Sequence, residues 1–141
     1  MSPPNEIYDA LCCYTLERGD ASFIHQHVVD AFTAQHADEH TKPIGLAFAL
    51  IGLYLHVEKG FSGKQVQEAH MALVRKKRAW PGFPLPRDRG RVTVADVMSA
   101  AEGAARDEAI DRWCASVWDA YWDSHEAVAE LLRSHGILAI R

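Results

Sequence analysis

The chain has 141 residues, of which 48% are hydrophobic and 24% are charged, values typical of one globular domain with a sizeable core. Its net charge of −4 gives no general attraction to nucleic acid or to anionic membranes, and its longest apolar run, residues 44–55, is too short to cross a bilayer as a helix. These values disfavour nucleic-acid-binding and membrane proteins. The eight histidines point to chemistry instead, because histidine serves most often in metal binding and proton transfer near neutral pH.

The three cysteines bear on the cellular compartment. Cys12 and Cys13 are adjacent and Cys114 is alone, so the chain has no regular disulfide framework, which favours a reducing compartment. The first five residues have neither the basic region nor the apolar core of a signal peptide. We therefore expect a cytoplasmic protein.

The first half of the chain predicts three helices. Asn5 is a good N-cap and Gly19 a good stop for the first, and Asp20 is expected to cap a second that runs to about residue 36. A third helix is predicted over 43–59, with a proline in its first turn and a glycine after its end. It is apolar on all sides, which is typical of a buried central helix.

The third helix also carries a stripe of small residues, Gly45, Ala49 and Gly52, at helical spacing. Two interior glycines cost about 1 kcal/mol each relative to alanine, so we expect a neighbouring element to approach the helix closely there. The next position on this stripe is His56.

The second half predicts further helices around a proline-rich strap. Capping-box patterns mark the starts of a helix over about 63–78 and of a short one over about 93–101. A long helix is predicted from about 104, with 123–124 as the candidate point at which it restarts. The proline-rich residues 80–86 cannot be helical and are expected to be extended. No strand alternation appears, so residues 1–141 predict a single all-α domain, a compact bundle of five to six helices with helix 43–59 at its centre.

Histidines on apolar faces are the candidate site. A rotation of 100° per residue places His25 on the inward face of the second helix, with His27 and Asp30 nearly opposite. The short turn near residue 40 predicts antiparallel packing of helices two and three, which brings position 25 level with 55–56. His25 and His56 should therefore share a ligand, a water or a metal ion.

A metal site needs a third donor, for which His125 at the start of the last helical segment is the candidate. His27, Asp30 and His70 would then support the ligands or carry protons. No H-E-x-x-H, C-x-x-C or Glu-x-x-His pattern sharpens this assignment, and a single inward histidine more often forms a structural hydrogen bond.

Two function classes follow from these residues. The first is an enzyme that uses a divalent transition metal (zinc, iron or nickel) on a small, anionic molecule. The second is a non-catalytic protein with structural histidines that binds a ligand or a partner. The segment 75–91 supports an anionic ligand or partner in either class, because it carries seven of the fifteen positive residues and a single acid, giving a formal charge of +6.

Two segments resemble a bacterial family of uncharacterised helical proteins. They read His25-x-x-x-Val29-Asp30-Ala31-Phe32-x-x-Gln35-His36 and Ser116-Val117-Trp118-x-Ala120-x-x-x-x-His125-x-x-Val128. The resemblance spans about residues 14–132 and implies an all-helical fold without an established reaction. Many family members open with a C-P-x-C-G segment and carry two adjacent histidines, whereas this chain lacks the first and has His25-Gln26-His27 in place of the second. A fainter architectural likeness to metal-dependent thiol transferases of four-helix-bundle type implies histidine ligands from different helices.

Overall fold

The computed structural model of the protein describes residues 3–76 and 79–137. In these two ranges it contains α-helices, one 3-10 turn and no strand, as the sequence predicts. The helices are α1 (Pro4–Arg18), α2 (His25–His36), α3 (Pro43–Lys59), α4 (Gly63–Lys76), α5 (Val94–Ser99), α6 (Ala104–Ala120) and α7 (His125–Ser134). This is one helix more than the predicted five to six, because the 3-10 turn Trp122–Ser124 divides the last stretch into α6 and α7. Positions 77 and 78, the predicted end of α4, lie outside the described residues.

Several predicted helix ends are confirmed by their capping contacts, but α1 begins at Pro4, with Pro3 and not Asn5 at its N-cap. The backbone N–H of Gln65 donates to the Ser62 hydroxyl while the Gln65 side chain accepts from the Ser62 backbone, the two bonds of a capping box at α4. The box at α5 is also complete, between Thr93 and Asp96. Gly60 ends α3 in the left-handed conformation.

The start of α2 differs from the prediction. The Asp20 carboxylate accepts hydrogen bonds from the Ser22 hydroxyl at 2.7 Å and from the Ile24 backbone N–H at 3.1 Å. It therefore closes a turn, in which Phe23 has a φ of 56°, a value uncommon for a bulky residue. The helix begins at His25, after that turn.

α3 is the central helix, as predicted. It packs against α2, α4, α6 and α7. Its buried residues are Leu46, Ala47, Ala49, Leu50, Ile51, Gly52, Leu53 and Leu55. No helix in the described part of the chain is long and apolar enough to cross a membrane.

α2 and α3 pack antiparallel, but with a different face of α2 inward than predicted. The Asp30 carboxyl lies against Gly52, and the His27 ring stacks on the His56 ring, so the residue numbers of the two helices run in opposite directions. His27, two residues beyond the predicted His25, thus faces His56. The prediction of the inward face was wrong because it placed polar residues outside, whereas His27, Asp30 and Gln35 are buried. The buried residues of α2 are His27, Val28, Asp30, Ala31, Ala34 and Gln35.

The proline-rich strap is free of regular secondary structure over 79–86, as predicted, and Gln35 ties its continuation to the core. The Gln35 side-chain amide donates to the carbonyl oxygen of Val92 at 2.8 Å, and its oxygen accepts from the buried Trp113 indole at 2.9 Å. Arg89 donates to the carbonyl oxygens of Ala34 and Gln35, the last turn of α2. These bonds join α2, the strap and α6.

Replacement of Gln35 by leucine is expected to lower the free energy of unfolding by about 2 kcal/mol. The leucine would leave the buried Trp113 indole N–H and the part-buried Val92 carbonyl without their side-chain partner, and a buried polar group left unsatisfied costs about 1–3 kcal/mol. Urea denaturation would measure the loss. Gln67→Leu on the exposed side of α4 is the matched control and should change stability by under about 0.5 kcal/mol. A loss below about 1 kcal/mol for Gln35→Leu would contradict this role.

Candidate functional site

One polar residue from each of three packed helices meets at a pocket on one side of the bundle. His27 comes from α2, His56 from α3 and Asp111 from α6. The Cys114 thiol, one turn beyond Asp111, lies 3.6 Å from the His27 carbonyl oxygen and thereby links α6 to α2 at this level. The three side chains therefore depend on the mutual packing of α2, α3 and α6.

Both ring nitrogens of His56 face hydrogen-bond acceptors. Nδ1 lies 2.9 Å from the backbone carbonyl oxygen of Phe61, and Nε2 lies 2.9 Å from Oδ1 of Asp111. Burial lowers the pKa of His56, but the hydrogen bonds to Asp111 and to the Phe61 carbonyl outweigh it and raise the pKa above its usual value. In return, the hydrogen bond from His56 and its charge hold the pKa of Asp111 below its usual value. This arrangement favours an imidazolium paired with a carboxylate.

His27 is neutral, whereas the contacts of His56 favour its protonated form. Its ring stacks on that of His56 with the centroids 3.5 Å apart, and the residue is only 4% exposed. Burial, and then the nearby charge of His56, lower the pKa of His27 to about 3. Neither of its ring nitrogens has a hydrogen-bond partner among residues 3–76 and 79–137. His27 thus presents a neutral imidazole to the pocket.

The pocket is a half-open cavity of about 260 Å³. Its rim is formed by the turn before α2 and by the N-terminal end of α4, which are joined where the Lys64 backbone N–H donates to the Ser22 carbonyl oxygen at 2.9 Å. Gly63 lies so close to this turn that a Cβ atom there would be 1.8 Å from the Phe23 carbonyl oxygen. The lining residues are Ser22, Ile24, His27, His56, Gly60, Phe61, Ser62, Gln65 and Asp111. A volume of this size accommodates a small molecule and water.

Two of the histidines predicted as ligands make their contacts elsewhere. His25 is half-buried, with Nδ1 2.9 Å from the Thr15 hydroxyl of α1. His125 stacks on the Trp118 ring, and its Nε2 lies 2.7 Å from the Trp118 carbonyl oxygen. Only His56 of the three predicted ligands lines the pocket.

Two of the predicted supporting residues, His70 and Asp30, also lie outside the pocket lining. His70 bonds through Nε2 to the Phe48 carbonyl oxygen at 2.9 Å and stacks on the Phe48 ring. Since Phe48 precedes His56 by eight residues, this contact lies about 12 Å along α3 from the pocket. Asp30 is buried beside Gly52, where Oδ1 accepts from Gln26 at 3.1 Å and Oδ2 has no partner in the described part of the chain. Its burial raises its pKa well above the usual value.

None of the described residues of the basic segment, 75–76 and 79–91, lines this pocket. Lys76 donates to the His135 carbonyl oxygen, and Arg89 donates to the Ala34 carbonyl oxygen in the last turn of α2. Positions 77 and 78 lie outside the described residues.

Sequence reasoning missed Asp111 and gave His27 a supporting role. Asp111 belongs to a helix in which acidic residues alternate with apolar ones, a pattern typical of a solvated face, and its side chain is 62% exposed. A signal for His27 was present in the predicted antiparallel pairing, because a shift of two residues places it opposite His56. Within the two described ranges, no group of three or more His, Cys, Asp or Glu side chains is placed so that it could hold a metal ion.

Comparison with known proteins identifies a family but no activity. No curated protein and no solved structure matches the chain. One family model matches residues 5–122, a range that holds His27, His56 and Asp111 and ends before His125. Because this match covers most of the chain, the protein belongs to DUF5946, a family of unknown function.

Proposed function

We propose that the protein is a divalent-metal-dependent enzyme that acts on a small, anionic molecule, with His27, His56 and Asp111 as the metal ligands. The observation that carries the proposal is the unpartnered, neutral imidazole of His27 in contact with the His56–Asp111 pair. A neutral imidazole with a free nitrogen is the form in which histidine binds metals. This set replaces His25 and His125, which are hydrogen-bonded outside the pocket.

The three side chains are in contact with one another, and a metal ion would bind only after they rearrange. The His27 and His56 rings are stacked with their centroids 3.5 Å apart, so the lone pairs of their nitrogens, which lie in the ring planes, do not converge on one point. The Asp111 oxygen lies 2.9 Å from Nε2 of His56 as its hydrogen-bond partner. Binding requires the His27 ring to turn from its stacked orientation and His56 to lose its Nε2 proton.

The outer contacts of His56 support the proposal. A histidine that binds a metal through one nitrogen usually donates its other N–H to a carbonyl or a carboxylate, which fixes the ring. Nδ1 of His56 has such a partner in the Phe61 carbonyl oxygen, so that Nε2 is directed to the pocket.

The donor set fits the proposed chemistry. Two histidines and one carboxylate occur with catalytic zinc and with non-haem Fe(II), and in both cases leave positions for water and substrate. A divalent ion with one carboxylate gives the site a net charge of +1, which favours an anionic group at an open position. A divalent metal held by these residues would act as a Lewis acid or would activate a bound water. We further propose a cytoplasmic location, which the three free cysteines support.

Binding of Co²⁺ to the full chain, freed of metals with a chelator, tests this function. We expect about one equivalent to bind with visible absorption bands typical of four or five ligands, and acetate or phosphate to shift these bands by entering the open position. His27→Ala, His56→Ala and Asp111→Asn should each weaken binding by about 100-fold or more, since even the loss of a residue that only orients a ligand costs about 10–100-fold.

His25→Ala and His125→Ala are the matched controls. Both remove a half-buried histidine that lies outside the pocket, so they should leave the Co²⁺ affinity within about twofold. Binding of less than about a tenth of an equivalent of Co²⁺, Zn²⁺ and Ni²⁺ would refute the proposal and leave the histidines as structural residues. Loss of affinity in the His25 or His125 variant, with His27→Ala unaffected, would restore the ligand set expected from sequence.

A further inference from the structure

A second and larger cavity lies beside the histidine pocket. It has a volume of about 790 Å³ and is bounded by α6 on one side. On the other side it is bounded by the strap together with its continuation, residues 80–91, which are called the strap from here on. Ala115 of α6 lines it, one helical turn beyond Asp111, and Val57 of α3 lines it next to His56. The cavity, called the strap groove below, is large enough for a molecule of several residues.

The strap wall of this groove is fixed to α6. The Ser116 hydroxyl oxygen accepts the backbone N–H of Arg91 at 3.0 Å and that of Val92 at 3.4 Å. Gly90, with a φ of 98°, lies so close that a Cβ atom there would be 2.6 Å from the same oxygen. The backbone that carries Arg91 is therefore held in place.

Two opposite charges in the strap groove are left without partners. Arg91 lines it from the strap and Asp119 from α6, two turns beyond Asp111. Neither side chain forms an ion pair or a hydrogen bond with the other or with any residue in 3–76 and 79–137. By contrast, the neighbouring Arg89 donates to the Ala34 carbonyl oxygen of α2, and the Asp88 carboxylate accepts the Gly90 backbone N–H at 2.9 Å.

We propose that the strap groove binds a small zwitterion, an amino acid or a short peptide, with its carboxylate on Arg91 and its ammonium group on Asp119. A molecule with only a negative charge would meet the two carboxylates of Asp88 and Asp119, and one with only a positive charge would meet Arg91. A zwitterion satisfies both unpaired groups with charge-assisted hydrogen bonds. Its uncharged middle would lie against the apolar part of the lining, which is Val57, Pro86, Ala115 and Ala120.

This binding does not depend on the proposed metal site, because no residue of the strap groove is a proposed ligand. The test therefore uses the full chain with a chelator present. We expect triglycine to shift the ¹H–¹⁵N NMR signals of Ala115, Ser116 and Arg91. N-acetyl-triglycine lacks the ammonium group and triglycinamide lacks the carboxylate, so each should bind about tenfold or more weakly.

The variants Arg91→Gln and Asp119→Asn show which end of the peptide each of the two residues binds. Arg91→Gln should bind triglycine and triglycinamide equally, and Asp119→Asn should bind triglycine and N-acetyl-triglycine equally. Arg87→Gln, an exposed strap arginine outside the lining, is the matched control and should bind like the wild type. Because Arg91 and Asp119 are exposed, both variants are expected to fold, and their melting temperatures would verify this. No shift up to about 20 mM triglycine, or equal shifts with all three peptides, would overturn the proposal.

Discussion

Replacement of Gly52 by alanine is expected to lower the free energy of unfolding by about 2 kcal/mol. A Cβ atom at this position would lie 1.9 Å from Oδ2 of Asp30 and 2.6 Å from its Cγ, so the carboxyl group would have to move. Asp30 is only 3% exposed, so its carboxyl group is enclosed by other protein atoms. Overpacking of this kind costs about 1–3 kcal/mol, which exceeds the gain of up to about 1 kcal/mol from alanine in a helix.

Gly45→Ala, in the same helix, is the matched control with the opposite sign. A Cβ atom there would meet only the Thr41 methyl group at 3.9 Å, so the substitution should stabilise the protein by about 0.5–1 kcal/mol. The double variant Asp30→Ala with Gly52→Ala should be more stable than Gly52→Ala alone, because the new methyl group then has room. Urea denaturation of the variants measures these differences. Equal stability of Gly52→Ala and Gly45→Ala would show that Asp30 does not occupy this space.

The stability of the metal-free wild-type protein is expected to fall with acidification more steeply than that of His27→Phe. The pKa of His27 is lowered to about 3 in the folded protein, whereas an unfolded chain has a histidine pKa of about 6.5. Between these values the unfolded state takes up a proton that the folded state does not, so stability falls as the pH falls. From pH 7 to 4 this amounts to about 3 kcal/mol. Phenylalanine keeps a ring stacked on His56 and does not titrate.

Urea denaturation at several pH values measures the two slopes. His40→Gln, at a residue whose side chain is 84% exposed, is the control and should follow the wild type. The raised pKa of His56 acts in the opposite direction, since its contribution is present below the unfolded pKa and is lost as the pH rises through the folded value. The contribution of His56 is the same in the wild type and in His27→Phe as long as a ring remains stacked on His56. Parallel curves for the wild type and His27→Phe would contradict a neutral, buried His27.

The helical class and most helix ends follow from the sequence because they depend on local interactions. Capping boxes at Ser62 and Thr93 and the left-handed Gly60 satisfy backbone groups within a few residues of themselves. The all-round apolarity of α3 also suffices to place it at the centre, and the short turn before it suffices for antiparallel pairing with α2.

Only the tertiary structure decided which face of α2 is buried and which residues meet at the candidate site. Apolar periodicity assigns polar residues to the outside, but His27, Asp30 and Gln35 are buried because other helices and the strap supply stacking, space and hydrogen bonds for them. These partners are distant in sequence, and Asp111 lies 55 residues from His56. A helix pattern reports the average environment of a face, whereas a site depends on the contacts of single atoms between helices, which exist only after the helices have packed.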